Sequence, residues 1–136
     1  MDLPAPAGEI FNSMGVKPVI SATGTVTAYG GSRLRPEVMD AMNRASNTMV
    51  NIDELNVAAG KIIAKYTGAE AGLVTSGAAG GLVLQAAAVI AGSDPIRMKS
   101  LPNAEGMNNE IIIHRSHRFP YDQCYLSVGA KFVEIG

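Results

Sequence analysis

The chain has 136 residues, 47% of them hydrophobic and 17% charged, with a formal net charge of −1. That length suits about one domain, and the apolar composition excludes a disordered chain. The balanced charge, with no basic stripe, removes the electrostatic case for a nucleic-acid partner.

Residues 1–15, MDLPAPAGEIFNSMG, read as an arm with Pro and Gly and without the apolar core of a secretory signal. With Cys124 the only cysteine, no internal disulfide can form, and a reducing, cytoplasmic setting is expected. Val16 to Thr27, VKPVISATGTVT, is β-rich with small residues, and Tyr29-Gly30-Gly31-Ser32 breaks it. Pro36 suits the first position of a helix and Glu37 its first turn, and Val38, Met39, Met42 and Ala45 mark an apolar face. Residues 1–50 therefore group as an arm and first helix.

Asn51-Ile52-Asp53-Glu54 has the spacing of a capping box. The helix it opens places Leu55, Ala58, Ala59, Ile62, Ile63 and Tyr66 on one side and Lys61 and Lys65 opposite, with Gly68 as a left-handed C-cap. Three short apolar runs follow, Gly72–Thr75, Glu110–His114 and Lys131–Ile135. A helix from Ala78 to Ala91 and a loop from Gly92 to Asn109 separate the first two. Pro120–Val128, mostly helical in pattern, separates the second and third. Strands alternating with helices predict crossover connections and a mostly parallel sheet.

Ala71–Gly92, AGLVTSGAAGGLVLQAAAVIAG, carries no charge. It is formally long enough to cross a bilayer, but its Thr-Ser-Gly-Ala-Ala-Gly-Gly centre is weakly hydrophobic and its flanks lack aromatic or basic belts. No membrane span is expected. No lysine follows the glycines as a Walker loop requires, and Gly77, Gly80 and Gly81 lack the G-x-G-x-x-G spacing. Two readings remain. In one, the first N–H groups of the helix at Ala78 form an anion site, with Thr75 and Ser76 adding hydroxyls. In the other, Ser76 is an ordinary N-cap and the glycines only allow close packing. Within Leu82–Ala91 only Gln85 is polar, so the helix should be buried all round. Three strands and two earlier helices could hardly cover it, which implies a longer domain or a partner subunit.

The only two histidines fall in His114-Arg115-Ser116-His117-Arg118-Phe119-Pro120-Tyr121-Asp122, directly after the second run as TSGAA follows the first. Ligands of open α/β sheets collect at the carboxyl ends of parallel strands, so the two polar clusters reinforce one another. His114, His117, Asp122 and Cys124 match no strong zinc spacing, and no metal is expected. Arg115 and His117 also fit an ordinary solvated loop.

ISATGTVTAYGGSRLRPEVMDAM, NIDELNVAAGKIIAKYTGAEAGLVTSGAAGGL and HRSHRFPYDQCYLSVGAKFVEIG together resemble the selenocysteine-synthase-like family of pyridoxal-phosphate enzymes, from about Val16 onward. The resemblance implies an aspartate-aminotransferase-like (type I) α/β fold, of which this chain carries the N-terminal part, with residues 51–136 opening the cofactor-binding large domain. It implies that Thr75, Ser76, Gly77, Ala78 and Ala79 hold the phosphate of pyridoxal 5'-phosphate, and that His117 stacks on the pyridine ring. Thr23, Gly24, Gly30 and Gly31 match a segment that approaches the substrate, and Arg118 is expected to meet an anionic substrate group. Ser21 stands where the family motif has Asn.

The family's Schiff-base lysine lies downstream of the matched segment. Lys17, Lys61, Lys65, Lys99 and Lys131 do not sit in its context, so no catalytic residue is expected here. The implied function is an enzyme of the lyase/transferase family. Its chemistry would be α,β-elimination with ammonia loss from a small amino sugar acid or β-hydroxy amino acid, in a homodimer or higher homo-oligomer. Alternatives are a selenium transferase acting on seryl-tRNA, and a non-catalytic fragment or binding module.

Overall fold

The computed structural model describes residues 8–136, which divide at Val50/Asn51 into two units. In the first, α1 (Gly8–Ser13) is followed by an extended stretch, a single 3-10 turn (Thr27–Tyr29) and α2 (Pro36–Ala45). Among the described residues, the stretch from Val16 to Thr27 pairs with no strand despite its β-rich composition. α2 starts at Pro36 as its sequence predicts, yet it buries none of its residues: Met39 is 44% and Met42 53% exposed.

The second unit opens with α3 (Ile52–Thr67). Asn51 adopts an extended backbone and its Oδ1 accepts from the N–H groups of Asp53 and Glu54 at 2.9 and 3.1 Å. Gly68, in the left-handed region, closes the helix by donating to Ala64 O. Asn51→Ala strips two end donors of their acceptor, and should destabilise this unit by about 1 kcal/mol, read as a lower urea midpoint.

The face of α3 that is covered is not centred where the hydrophobic pattern put it. Leu55, Ile62 and Tyr66 are exposed, whereas Gly60 is buried. Asn56, Gly60 and Ile63, one helical face, seat the extended segment that follows. Asn56 donates to Val74 O at 3.2 Å and accepts from Val74 N at 3.1 Å. Its amide thus meets a main-chain donor and acceptor much as a neighbouring strand would. A Cβ on Gly60 would lie 2.1 Å from Gly72 O, so the two backbones touch because neither residue has a side chain. The predicted strand Gly72–Thr75 is corrected by this arrangement: it is extended but joins no sheet, its Val74 groups being taken by a side chain.

α4 runs from Ala78 to Ala91, as the sequence predicts, and packs against α5 (Pro95–Ser100) and α6 (Asp122–Leu126). α5 lies within what reads as a loop. Asp94 caps it, accepting from Ile96 N and Arg97 N, and Pro95 opens it. β1 (Glu110–His114) and β2 (Lys131–Ile135) form a two-stranded parallel sheet in the register Glu110↔Lys131 through His114↔Ile135. A 3-10 turn (Arg115–His117) and α6 connect them.

The core is small: Ala86, Ile90, Ala104, Val128 and Ala130, with Val83, Ile111 and Tyr125 packed against it. Only one side of α4 reaches this core. Val89 is 76% and Leu84 48% exposed, so the all-round burial implied by its composition is not met by this chain. Among the described residues, no helix is long and apolar enough to cross a membrane.

Candidate functional site

The N-terminus of α4 is built by the turn Thr75-Ser76-Gly77. Gly77, not Ser76, is the N-cap; its φ of 127° and ψ of 176° suit a residue without Cβ, and no side chain caps the helix. The first helical hydrogen bond at this end is Gly81 N to Gly77 O at 3.0 Å. Ala78, Ala79 and Gly80 therefore lead the helix with N–H groups that lie ahead of that ladder. Aligned peptide dipoles add positive potential there, which favours an anion.

Two hydroxyls pack against the first turn of the helix. A Cβ on Gly80 would come within 2.8 Å of Ser76 Oγ, and one on Gly81 within 3.6 Å of Thr75 Oγ1. Gly80 thus leaves the space into which the Ser76 hydroxyl fits. Thr75 is half-buried and its Oγ1 donates to Gly77 O at 2.9 Å, fixing the turn from within. Ser76, Gly77, Ala78 and Ala79 are exposed. The donors, the dipole and the small residues fit a phosphate group.

The second cluster follows β1. His114 Nδ1 lies 2.7 Å from Ser116 Oγ and accepts from Ser116 N at 3.3 Å, which caps the 3-10 turn. His117, at the end of that turn, is exposed, its ring centroid 5.4 Å from that of His114 and the planes inclined by 45°. Its imidazole is free to present a face to a planar ligand.

Arg118 is engaged within the protein. Nε donates to Asp122 Oδ2, Nη1 donates to Glu134 on β2, and Cζ sits 4.8 Å above the Phe132 ring. The Asp122 hydrogen bond is the main cause holding its pKa above the ordinary guanidinium value, against a smaller opposing effect of desolvation. The arginine expected to meet a substrate anion is thus committed to two carboxylates. Sequence reasoning missed this network; the Arg118/Asp122 spacing of four was its only trace.

Thr23, Gly24, Gly30 and Gly31 lie in the first unit. There Ser21 Oγ bonds to Thr23 Oγ1 and Gly24 O, both at 3.1 Å, and Gly30 closes the Thr27–Tyr29 turn in the left-handed region. Within the second unit, no hydrogen bond or ring contact among the described residues joins the Thr75–Ala79 turn to the His117 cluster. Two open hollows, of ≈ 580 Å³ beside Pro102–Met107 and ≈ 400 Å³ between α4 and β1, include neither of them. Among the described residues, no group of three or more His, Cys, Asp or Glu side chains is placed to hold a metal ion.

No protein-family model matches the chain. It is 37% identical over 131 residues to a D-glucosaminate-6-phosphate ammonia lyase of Salmonella typhimurium, covering 93% of this chain and 36% of that protein. It is 34% identical, again over 131 residues, to a 5'-C-glycyluridine monooxygenase-decarboxylase of a Streptomyces species, of which it covers 33%. A solved structure of D-glucosaminate-6-phosphate ammonia-lyase matches it with a TM-score of 0.88 at 36% identity, over 97% of this chain and 36% of that one. The chain spans about a third of the length of these relatives. The expected resemblance and the α/β fold are borne out over that third.

Proposed function

We propose, from its kinship with D-glucosaminate-6-phosphate ammonia lyase, that this chain is the N-terminal portion of a pyridoxal 5'-phosphate-dependent ammonia-lyase acting on an amino sugar acid. The observation that carries the reading is the open N-terminus of α4, which no side chain caps, with the Ser76 and Thr75 hydroxyls lying against Gly80 and Gly81. Thr75, Ser76, Gly77, Ala78 and Ala79 would hold the cofactor phosphate, and His117 would stack on its ring.

When bound, the cofactor supplies an electron sink for charge developing at the substrate α-carbon. The residues of this chain bind and orient it. Main-chain donors at a helix end cost no reorganisation on binding, which suits a group that must stay fixed through turnover. The exposed side of α4, with Val89 76% exposed, supports assembly into a homodimer or higher homo-oligomer, and a lone cysteine suits the reducing cytoplasm. The glycyluridine relative favours a second reading, in which the same cofactor-holding segment serves another reaction.

The test is cofactor titration of the whole protein that carries this segment. Ser76→Ala and His117→Ala should each weaken pyridoxal phosphate binding by about tenfold, the equivalent of one hydrogen bond to a charged group or one stacked ring. Unchanged affinity in both variants would overturn the site. Ammonia release from D-glucosaminate 6-phosphate without oxygen uptake then separates the first reading from the second.

A further inference from the structure

Asp122 is the single buried charged side chain among the described residues, 8% exposed. A carboxylate so placed is stable only when its oxygens are satisfied. Oδ2 accepts from Arg118 Nε, and Oδ1 accepts from Phe119 N at 3.3 Å. Arg118 continues to Glu134 Oε1 on β2, and Arg115 Nε lies 3.7 Å from Glu134 Oε2. The two arginines bracket the turn that ends in His117, and both are tied to the neighbouring strand. Stacking of Arg118 on Phe132 adds a second anchor on β2.

We infer that Arg118 and Asp122 are positioning residues that fix the His117 imidazole by clamping the turn between β1 and α6 onto β2. The inference rests on the reading that His117 stacks on the cofactor. The His117 side chain makes no hydrogen bond among the described residues and meets only the His114 ring, so the path of the main chain on either side of it decides where its ring points. A flexible Lys could not replace Arg118, because the fork meets two carboxylates at once while its plane lies on an aromatic ring.

The experiment uses the whole protein with and without pyridoxal phosphate and compares Arg118→Gln, Arg118→Lys, Asp122→Asn and Glu134→Gln. Three readouts are taken: cofactor affinity, the His117 imidazole nitrogen resonances in the cofactor-free protein, and KM against kcat. Arg118→Gln and Asp122→Asn should both move the His117 resonances and weaken cofactor binding by about fivefold, with KM little changed. Glu134→Gln should do the same to a smaller degree, and Arg118→Lys should not restore the wild-type values.

If Asp122→Asn does not fold, Glu134→Gln decides, since the Glu134 side chain is 38% exposed and its loss leaves buried Asp122 paired with Arg118. A fall in stability with unmoved His117 resonances and unchanged affinity would reduce the network to a structural tie and overturn the inference. So would a raised KM in Arg118→Gln alone, which would return that arginine to the substrate. Failure of the cofactor reading is seen separately, as unchanged affinity in Ser76→Ala and His117→Ala.

Discussion

Gly60→Ala should destabilise the second unit by about 2 kcal/mol, although the substitution places a better helix former inside a helix. On an open face the exchange would gain about 1 kcal/mol. Here the new Cβ would stand 2.1 Å from Gly72 O and 3.0 Å from its carbonyl carbon. Both are backbone atoms, so no rotamer change relieves the contact. The segment must move off α3, and forced overpacking of this kind costs about 1–3 kcal/mol.

Movement also strains the pair of bonds between Asn56 and Val74, at 3.1 and 3.2 Å, each worth about 1 kcal/mol net. The steric and hydrogen-bond losses together exceed the propensity gain. Gly72→Ala approaches the same contact from the other side, meeting Gly60 O at 2.8 Å and Ile63 Cβ at 2.9 Å, and should shift stability in the same direction. Urea midpoints with unchanged slopes measure both. A Gly60→Ala protein as stable as the wild type would mean that the segment does not dock on this face. Because Val74 leads directly into Thr75-Ser76-Gly77, the displacement should also loosen the α4 turn.

The features legible in the sequence are those decided within a few residues. Pro36 and Asn51 start helices, Gly68 ends one, and the bounds of α4 follow from Gly77 before it and Gly92 after it. α5 had the same kind of signal in Asp94-Pro95, obscured by the second proline at 102 and by the loop-like composition between. The strand at Gly72–Thr75 was not legible as unpaired, because a ladder depends on a partner rather than on β-propensity.

The site divides along the same line. Its turn could be located from Thr75-Ser76-Gly77 because a helix end is a local feature. The role of Gly80 in making room for a hydroxyl, and the capture of Arg118 by Glu134 sixteen residues away, are tertiary facts without a local signature. Helix faces were misjudged for a related reason. Leu55, Ile62 and Tyr66 are apolar at helical spacing but exposed, since periodicity marks the faces of a helix and not what packs against them.

Gly80→Ala should move stability and cofactor affinity in opposite directions. Gly80 is the third residue of α4, where Ala gains up to about 1 kcal/mol of helix stability. Its Cβ would meet Ser76 Oγ at 2.8 Å. That atom ends a short rotatable side chain, so the clash is relieved by turning the hydroxyl away at little cost to the fold. On the reading that the Ser76 hydroxyl donates to the cofactor phosphate, turning it away removes that donor. One hydrogen bond to a charged phosphate is then lost, about 1.5 kcal/mol, the same tenfold rise in Kd for pyridoxal phosphate that Ser76→Ala should give.

Gly81→Ala is the internal control. Its Cβ would rest 3.6 Å from Thr75 Oγ1, an ordinary contact that displaces nothing, so it should raise stability similarly and leave the affinity intact. Thermal midpoints and cofactor titrations on the two variants of the whole protein read both quantities. Equal affinities for Gly80→Ala and Gly81→Ala would show that the Ser76 hydroxyl does not face the anion. A loss of stability in Gly80→Ala would show instead that the hydroxyl cannot turn away and belongs to the packing of the turn.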